Sequence, residues 1–392
     1  MKVDAIKDKV AIIGMGCTSF GEKWGHSVDS MLIDAVYEAY ADAGVDSNDI
    51  EAAWIGTVAS GVAGWAVANP LKLDRKPVTR VENVCATGMD AIRNACFAVA
   101  CGAYDIVLVA GVEKLKDSGF GGLPEFFSHP VYGQGFSAPG RWALIANRYF
   151  KAHNIDRERG KEALAKIAVK NHYNGTFSPK AHFQKEISLE QAVKAPIIAW
   201  PLGLFDCCPT TDGAAATIIC NAEIAKKFKD DYVLVKGFGL AAGPGWGKED
   251  IDYNYDYLPE TIVAAQQAYD SVGIKDPSKE LSTCQVHDCF TIAEFTEYEA
   301  LRLCGKGEAL HAVEEGRFAL DGALPVNTDG GLKAFGHPLG ATGIRMCNEL
   351  YLQLRGKAGP RQIKNPTLGL AMAQGGHPGM LLPIVTILGT RD

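Results

Sequence analysis

Short apolar runs alternate along this chain with segments in which apolar residues recur at helical spacing. Continuous apolar runs of this kind are typical of strands buried on both faces of a sheet. They occur at residues 10–13, 105–110, 232–235 and 367–372. Because helical segments precede and follow these runs, the pattern predicts an α/β protein with two mixed sheets packed between layers of helices.

The helical segments reveal an internal duplication. Residues 35–45 (AVYEAYADAGV) resemble residues 264–274 (AAQQAYDSVGI), and the same offset of 229 aligns the strand-like residues 53–58 with residues 282–287. Both helices are predicted to end at a glycine in the left-handed conformation. A second match pairs Ala-Thr-Gly at residues 86–88 with Ala-Thr-Gly at 341–343, at an offset of 255. Two matches in the same order predict two similar halves, near residues 8–115 and 231–392.

Residues from about 116 to 212 break this pattern, being rich in glycine, proline, aromatic and basic residues with one helical piece near 162–172. Almost a hundred residues is far too long for an ordinary connection. We therefore predict an N-terminal half of residues 1–115 plus 213–230, an inserted loop domain of 116–212 over the active site, and a C-terminal half of 231–392. Side chains of the loop domain expected to shape the pocket are Phe120, Phe126, Phe127, Tyr132 and Trp142.

Composition narrows the class of protein. The chain has 392 residues, 47% of them hydrophobic, and a formal net charge of −7, which disfavours nucleic acid or an anionic membrane as the main partner. No apolar stretch approaches the roughly 20 residues that span a bilayer, and no signal peptide is recognised. The 11 cysteines show neither disulfide-framework spacing nor a CxxC pair. We expect a cytoplasmic enzyme with no metal and no nucleotide-binding phosphate loop.

Cys85 is the leading candidate nucleophile. It lies between a strand-like run and the helix opened by Ala-Thr-Gly at residues 86–88. A helix N-terminus stabilises a thiolate, which is the nucleophilic form of cysteine. The alternative is a buried structural cysteine. His337, which precedes the second Ala-Thr-Gly, is the candidate base, and this second segment favours the catalytic interpretation.

Five segments together resemble the thiolases, and specifically the archaeal acetoacetyl-CoA thiolase group that is similar to the sterol-carrier-protein-2 type. The resemblance covers the whole chain. It rests on residues 83–88 (NVCATG), 170–175 (KNHYNG), 206–216 (DCCPTTDGAAA), 287–291 (HDCFT) and 336–343 (GHPLGATG). It implies the thiolase fold, in which two duplicated halves with mixed sheets form a five-layer αβαβα sandwich with an inserted loop domain.

The resemblance also implies the chemistry. Cys85 would carry the acyl group, and His337 would activate it as a base or stabilise the ion pair. Coenzyme A thioesters would be the substrates, with no permanently bound cofactor. Backbone N–H groups near Gly375 and Gly376 are expected to contribute an oxyanion hole. His377 either lines the pocket and donates a hydrogen bond or packs within its loop.

One departure from the bacterial and mitochondrial thiolases changes the expected acid/base. Ala373 stands where those enzymes have a second cysteine, and the segment from His287 to Phe290 replaces their Asn-Glu-Ala-Phe. The resemblance to sterol-carrier-type thiolases implies that Cys289 takes over proton transfer. His287 would then hold water or a substrate oxygen.

Other candidate residues have less specific signals. Cys207 and Cys208 are expected to pack in the core, with redox sensing as the alternative. Cations that could hold the phosphates of coenzyme A are Arg157, Arg159, Lys161, Lys166, Lys170, Lys180 and Lys185.

The expected function is acetyl-CoA acetyltransferase, serving the mevalonate route in an archaeon. Alternatives are a thiolase of other acyl-chain specificity, a ketoacyl-synthase-like condensing enzyme that does not need Cys289, or a thiolase-like scaffold. The resemblance implies a homodimer or dimer of dimers. It also implies a complex with hydroxymethylglutaryl-CoA synthase and a small zinc-binding OB-fold protein.

Overall fold

The computed structural model describes residues 5–117, 137–244 and 253–390. The N-terminal half contains β1 Val10–Cys17, α1 Val28–Ala43, β2 Ala52–Gly56, α2 Trp65–Ala68, β3 Val78–Val81, α3 Thr87–Ala100, β4 Ile106–Glu113 and, after the middle segment, β7 Gly213–Asn221 and α7 Ala222–Ala225. The middle segment contains α4 Ala138–Ala152, α5 Arg157–Gly175, α6 Leu189–Lys194, β5 Ile197–Ala199, β6 Leu202–Gly203 and a 3-10 turn, Leu204–Asp206.

The C-terminal half follows a similar order, but among the described residues it has no strand equivalent to β3 and it has more helices between β9 and α13. Its elements are β8 Val233–Leu240, α8 Pro259–Val272, α9 Pro277–Glu280, β9 Thr283–Gln285, α10 Thr291–Ala300, α11 Ala309–Glu314, α12 Gly331–Ala334, α13 Leu339–Leu354, a 3-10 turn Gly359–Arg361, β10 Leu368–Gly375 and β11 Leu382–Gly389. The strands predicted from apolar runs are therefore present as β1, β4, β8 and β10. The helical piece predicted near 162–172 lies within the longer α5.

Nine strands of the described residues form one mixed sheet in the order β3-β2-β4-β7-β1-β8-β11-β10-β9, and β5 and β6 form a separate two-stranded sheet. Strand β2 is parallel to β3 and β4, β9 is parallel to β10, and the other pairs are antiparallel. The two predicted sheets are thus joined at one edge, where Ala11 pairs with Leu234 and Ile12 with Val233. This short pairing satisfies backbone groups that two separate edge strands would leave open.

Helices cover both faces of the two half-sheets. Helix α1 packs outside β1 and β7, and α8 packs outside β8 and β11. Helices α3 and α13 pack against each other between the half-sheets, with α13 touching both β4 and β10. The predicted five-layer αβαβα arrangement is confirmed.

The internal duplication is visible in local geometry. Helices α1 and α8 end at Gly44 (φ 73°) and Gly273 (φ 93°), both left-handed, and these glycine N–H groups donate to the carbonyls of Tyr40 and Tyr269. The second Ala-Thr-Gly differs from expectation, because α13 begins at Leu339, before this segment. The pair α1 and α8 therefore ends alike, whereas the pair α3 and α13 begins at different positions relative to the Ala-Thr-Gly segment.

Glycines allow α3 and α13 to approach closely. A Cβ at Gly88 would lie 2.4 Å from the carbonyl oxygen of Gly340, and one at Gly343 would lie 2.4 Å from the backbone nitrogen of Met89. A Cβ at Gly340 itself would lie 2.4 Å from the carbonyl oxygen of Gly56. The start of α13 therefore packs directly on the backbone of the N-terminal half.

Four of the predicted pocket residues, Phe120, Phe126, Phe127 and Tyr132, lie outside the described residues. Trp142 is buried on α4, and its ring lies 6.2 Å from that of Phe290. In the described part of the chain, no helix combines the length and apolar character needed to cross a membrane.

Gly340→Ala is expected to destabilise the fold because the added methyl group meets backbone oxygens of Gly56 and Val112, at 2.4 and 2.7 Å, that cannot move independently. Overpacking of this kind costs about 1–3 kcal/mol or more. Thermal unfolding should show a lower Tm or a loss of soluble protein. Gly25→Ala is the matched control, since a Cβ there meets nothing within 4 Å. Equal Tm values for the two variants would contradict the proposed packing constraint.

Candidate active site

One cavity of about 110 Å³ brings together most of the predicted site residues. Cys85, His287, Cys289, Gly376, His377 and Trp142 all line it, with Val84, Ala138, Phe290, Leu339, Gln374, Met380 and Leu382. His337 lies beside it: the sulfur of Cys85 and one ring nitrogen each of His287 and His337 lie within 4.8 Å of one another. Gly375 packs against the turn that carries Cys85, since a Cβ there would lie 3.3 Å from the Cys85 nitrogen.

Cys85 is presented by a strained turn between β3 and α3. Val84 has a φ of 52°, an unfavourable left-handed conformation for a β-branched residue. The hydroxyl of Thr87, in the first turn of α3, accepts from the Asn83 N–H at 2.9 Å and donates to the Val84 carbonyl at 2.6 Å. The start of α3 therefore holds the backbone that presents the thiol.

The acidity of Cys85 differs from the sequence-based expectation. Burial, together with the carboxylates of Glu113 and Glu82, raises the pKa of this thiol to about 12. Removal of the thiolate from water therefore outweighs the stabilising helix N-terminus. The raised pKa favours the thiol form of Cys85, so a nucleophilic role for its sulfur would require a base to take the proton.

Thr342, which the sequence pattern did not indicate, determines which nitrogen of His337 carries the lone pair. The Nδ1 atom of His337 lies 2.8 Å from the hydroxyl of Thr342, which donates to the Pro338 carbonyl at 3.0 Å. Because the hydroxyl proton is used there, the hydroxyl accepts from Nδ1–H, and Nε2 carries the lone pair. Burial lowers the pKa of His337 to about 3, which keeps the ring neutral.

The loop after β9 is tied to the segment before His337. The carboxylate of Asp288 accepts from the N–H groups of Leu332 and Lys333, at 2.6 and 3.0 Å. This places the ring of His287 5.1 Å from that of His337, nearly perpendicular to it at 86°. Burial and the neighbouring His337 lower the pKa of His287 well below its usual value. Both rings are therefore neutral.

Glu297, on α10, fixes two sides of the cavity. One carboxylate oxygen accepts from the His287 N–H at 2.9 Å, and the other accepts from the Gln374 amide at 2.6 Å. Gln374 lies in β10 directly before Gly375, the last residue of that strand, and Gly376 follows. The loop with His287 and the predicted oxyanion loop are thus held by one buried side chain, which the sequence pattern did not reveal.

Cys289 is buried, and burial raises the pKa of its thiol well above the usual value. Its carbonyl accepts from the Cys208 N–H at 2.9 Å, and Cys207 forms a backbone bridge with Phe290. Cys207 and Cys208 are half-buried rather than fully within the core. They position the loop that carries Cys289.

The segment KNHYNG, on α5, connects the middle segment to this loop. The amide of Asn171 donates to Asp288 and to Glu294, both at 2.7 Å, and the Lys170 ammonium lies 2.6 Å from Glu294. Asn174 donates to the Asn327 carbonyl at 2.9 Å. This motif therefore holds the loop that carries His287 and Cys289 through its hydrogen bonds to Asp288.

Most of the proposed phosphate-binding cations are engaged by carboxylates. The ion pairs are Arg159–Glu314, Lys161–Asp206, Lys166–Glu162, Lys170–Glu294 and Lys180–Glu38. Arg157 and Lys185 are exposed and make no ion pair within the described ranges. These two remain the best placed of the original candidates.

A thiol beside a neutral histidine, with a second thiol in the same cavity, is an arrangement suited to enzymes that transfer acyl groups through a covalent thioester. Comparison with known proteins supports this class. Residues 10–223 match the family model "Thiolase, N-terminal domain", and residues 250–390 match "Thiolase C-terminal domain-like".

Similar proteins share most of the chain. It is 37% identical over 380 residues to the acetyl-CoA acetyltransferase of Methanothermobacter thermautotrophicus, covering 94% of this chain and 97% of that protein. It is 32% identical to sterol carrier protein 2 of Gallus gallus, covering 91% of this chain and 67% of that protein. The solved Ltp2-ChsH2(DUF35) aldolase has a TM-score of 0.84 at 25% identity, covering 98% of each chain.

The chain belongs to the thiolase family. The family, the fold and the acyltransferase class predicted from the sequence are thereby confirmed.

Alkylation should test the protonation state of Cys85. Because its pKa is raised to about 12, the iodoacetamide rate at Cys85 should rise about tenfold per pH unit between about pH 6 and pH 9, without a plateau. Peptide mass spectrometry resolves the sites, and the exposed Cys101 is the reference within the chain. A rate that is constant across this range would instead show a preformed thiolate.

Thr342→Val should remove the hydroxyl that keeps the proton of His337 on Nδ1, while leaving the shape of the cavity unchanged. Acylation of Cys85 in a single turnover should slow by about 10- to 100-fold, a part of what a positioned base contributes. KM should change little. Thr342→Ser keeps the hydroxyl and should restore most of the rate, whereas equal rates for the valine and serine variants would exclude this positioning role.

Proposed function

We propose that this protein is an acetyl-CoA acetyltransferase that reversibly condenses two acetyl-CoA molecules to acetoacetyl-CoA and coenzyme A through an acetyl-Cys85 intermediate. The observation that carries the proposal is the convergence of Cys85, His337 and Cys289 around one cavity. The archaeal relative that is 37% identical is named for this activity.

In the first step, the sulfur of Cys85 attacks the thioester carbonyl of acetyl-CoA while His337 Nε2 accepts the thiol proton. Backbone N–H groups near Gly375 and Gly376 stabilise the oxyanion. The C–S bond to coenzyme A then breaks, and His337 returns the proton to the departing sulfur. The products are acetyl-Cys85 and free coenzyme A.

In the second step, Cys289 passes its proton to His337 Nε2, and the resulting thiolate removes a proton from the methyl group of another acetyl-CoA. The carbanion attacks acetyl-Cys85, the bond between the acetyl carbon and the Cys85 sulfur breaks, and His337 returns its proton to that sulfur. A ring N–H of neutral His287 would donate to the thioester oxygen as the enolate forms. In the cleavage direction the Cys289 thiol returns that proton to carbon. Its raised pKa suits this direction, because the group stays a thiol until the carbon accepts the proton.

We also propose that the protein is a cytoplasmic archaeal enzyme that serves the mevalonate route. A homodimer would cover the outer edge of β3, the last strand of the described sheet. Similarity to a solved complex whose name includes a DUF35 component supports a partner protein. The hydroxymethylglutaryl-CoA synthase and the small zinc-binding OB-fold protein are the partners we propose.

Cleavage of acetoacetyl-CoA by coenzyme A tests the proposal with the wild type, Cys85→Ala, Cys289→Ala and Cys101→Ala as the exposed control. Both site variants should lose at least about 100-fold in rate, and the control should match the wild type. Acetyl-Cys85, detected by mass spectrometry from acetyl-CoA, should still form in Cys289→Ala.

Other outcomes would identify the alternatives. Full activity in Cys289→Ala would favour the ketoacyl-synthase-like reaction, which needs one cysteine. An acyl-Cys85 that forms only with longer or branched thioesters would indicate another chain specificity. A wild type that never acquires an acyl group would reject the proposed reaction and favour a scaffold.

A further inference from the structure

We propose that Cys85, His287 and His337 also form a binding site for Zn²⁺, and that occupation of this site blocks acyl transfer. The three ligand atoms lie within 4.8 Å of one another. They come from three distant parts of the chain: the turn before α3, the loop after β9 and the segment before α13. Cysteine sulfur and imidazole nitrogen are the ligands that Zn²⁺ prefers.

The histidine nitrogens are available to a metal ion. His337 Nε2 and His287 Nδ1 are buried and have no hydrogen-bond partner within the described structure. The residues themselves are 0% and 1% exposed, respectively. Buried polar atoms of this kind normally have a partner, and each of these two rings therefore has a nitrogen open to a ligand. A bound cation would satisfy both nitrogens at once.

The surroundings of His337 also match a metal site. Ligating histidines usually use their second nitrogen in a hydrogen bond that fixes the ring and its tautomer. Thr342 makes this contact with Nδ1 at 2.8 Å, and it leaves the Nε2 lone pair toward the site. His287 is anchored through its backbone, where Glu297 accepts at 2.9 Å. Both ligands are therefore held in place before a metal arrives.

Tetrahedral zinc with ligand distances of about 2.0 to 2.3 Å places its ligand atoms about 3.5 Å apart. The upper limit of 4.8 Å requires only small side-chain rotations. The adjoining cavity leaves the fourth coordination position to water. Three protein ligands and one open position make a site from which a chelator can remove the metal.

Zn²⁺ binding involves no change of oxidation state. The Cys85 thiol gives up its proton to the buffer, the resulting thiolate sulfur binds Zn²⁺, and the two neutral imidazoles donate lone pairs. The metal thereby occupies the sulfur and the base nitrogen needed for acylation. The inhibitory part of this inference rests on the proposed function, whereas metal binding does not.

The sequence predicts no metal site because it contains no CxxC pair. Residues 85, 287 and 337 are separated by up to 252 positions, so spacing could not reveal the group. A reversible inhibitory site also differs from a structural zinc site, since the fold here does not need the ion to bring its ligands together.

Calorimetry on chelator-treated wild-type protein should show one Zn²⁺ per chain, and titrations in buffers of different ionisation enthalpy should show release of one proton. His287→Ala and Cys85→Ser should each weaken binding at least about 100-fold, and Thr342→Val by about 10- to 100-fold. Cys101→Ala should bind like the wild type. With Co²⁺, the wild type should show a sulfur-to-metal charge-transfer band that Cys85→Ser lacks.

Two outcomes would overturn the inference. One is the absence of saturable Zn²⁺ binding to wild type. The other is binding that persists in His287→Ala but disappears in Cys207→Ala or Cys208→Ala, which would assign the metal to the vicinal thiols. Circular dichroism confirms that each variant is folded. Acetyl-Cys85 formation is measured separately, so a protein that binds Zn²⁺ through Cys85 but never becomes acetylated would reject the proposed function alone.

Discussion

The close approach of α3 and α13 is the constraint on which the site depends. Glycines at the crossing let the start of α13 rest on the backbone of the N-terminal half, where a Cβ at Gly340 would lie 2.4 Å from the Gly56 oxygen. The buried carboxylate of Glu113 secures the same place: it accepts from the Gly340 N–H at 3.1 Å and from Val58 at 3.0 Å. Because Cys85 and His337 directly precede these two helices, this contact brings the thiol and the imidazole to one end of the molecule.

The duplicated fold contributes two helix starts that are no longer alike. In the N-terminal half, the first turn of α3 supports a strained Val84 and exposes a thiol, whereas in the C-terminal half α13 begins earlier and turns its Thr342 hydroxyl back toward His337. The same Ala-Thr-Gly motif thus holds the turn that carries Cys85 in one half and fixes the ring of His337 in the other. Loops that are not duplicated add the remaining groups. Asp288 ties the His287 loop to α12, and Glu297 ties it to Gln374.

The local pattern of apolar residues predicted much of the fold, but it predicted less of the candidate active site. Apolar runs predicted β1, β4, β8 and β10 because strands buried on both faces have few polar residues. Strand β7, Gly213–Asn221, was not predicted, since its alanines and glycine carry little strand preference. Cys85 and His337 were identified from helix starts and family motifs. The tautomer set by Thr342, the bridge through Glu297 and the ion pairs of Lys161 and Lys170 depend on tertiary contacts, and single-sequence spacing does not encode them. The raised pKa of Cys85 likewise follows from enclosure by distant segments.

Enclosure makes proton position more important than thiol acidity in this site. A thiolate of high pKa is a stronger nucleophile but a poorer leaving group. Because the pKa of Cys85 is raised, a bare Cys85 thiolate would, in the proposed reaction, be expelled slowly when the acyl group returns to coenzyme A. A neutral thiol beside a neutral imidazole avoids this bias, because the proton can move with the acyl group in either direction. In the proposed mechanism the requirement then falls on His337 Nε2, which must be unprotonated when Cys85 attacks and must hold the proton when the coenzyme A sulfur leaves. Thr342 maintains that requirement by keeping the other proton on Nδ1. The same empty nitrogen beside a thiol is what a thiophilic cation needs, so the feature that suits reversible acyl transfer also makes the site sensitive to Zn²⁺.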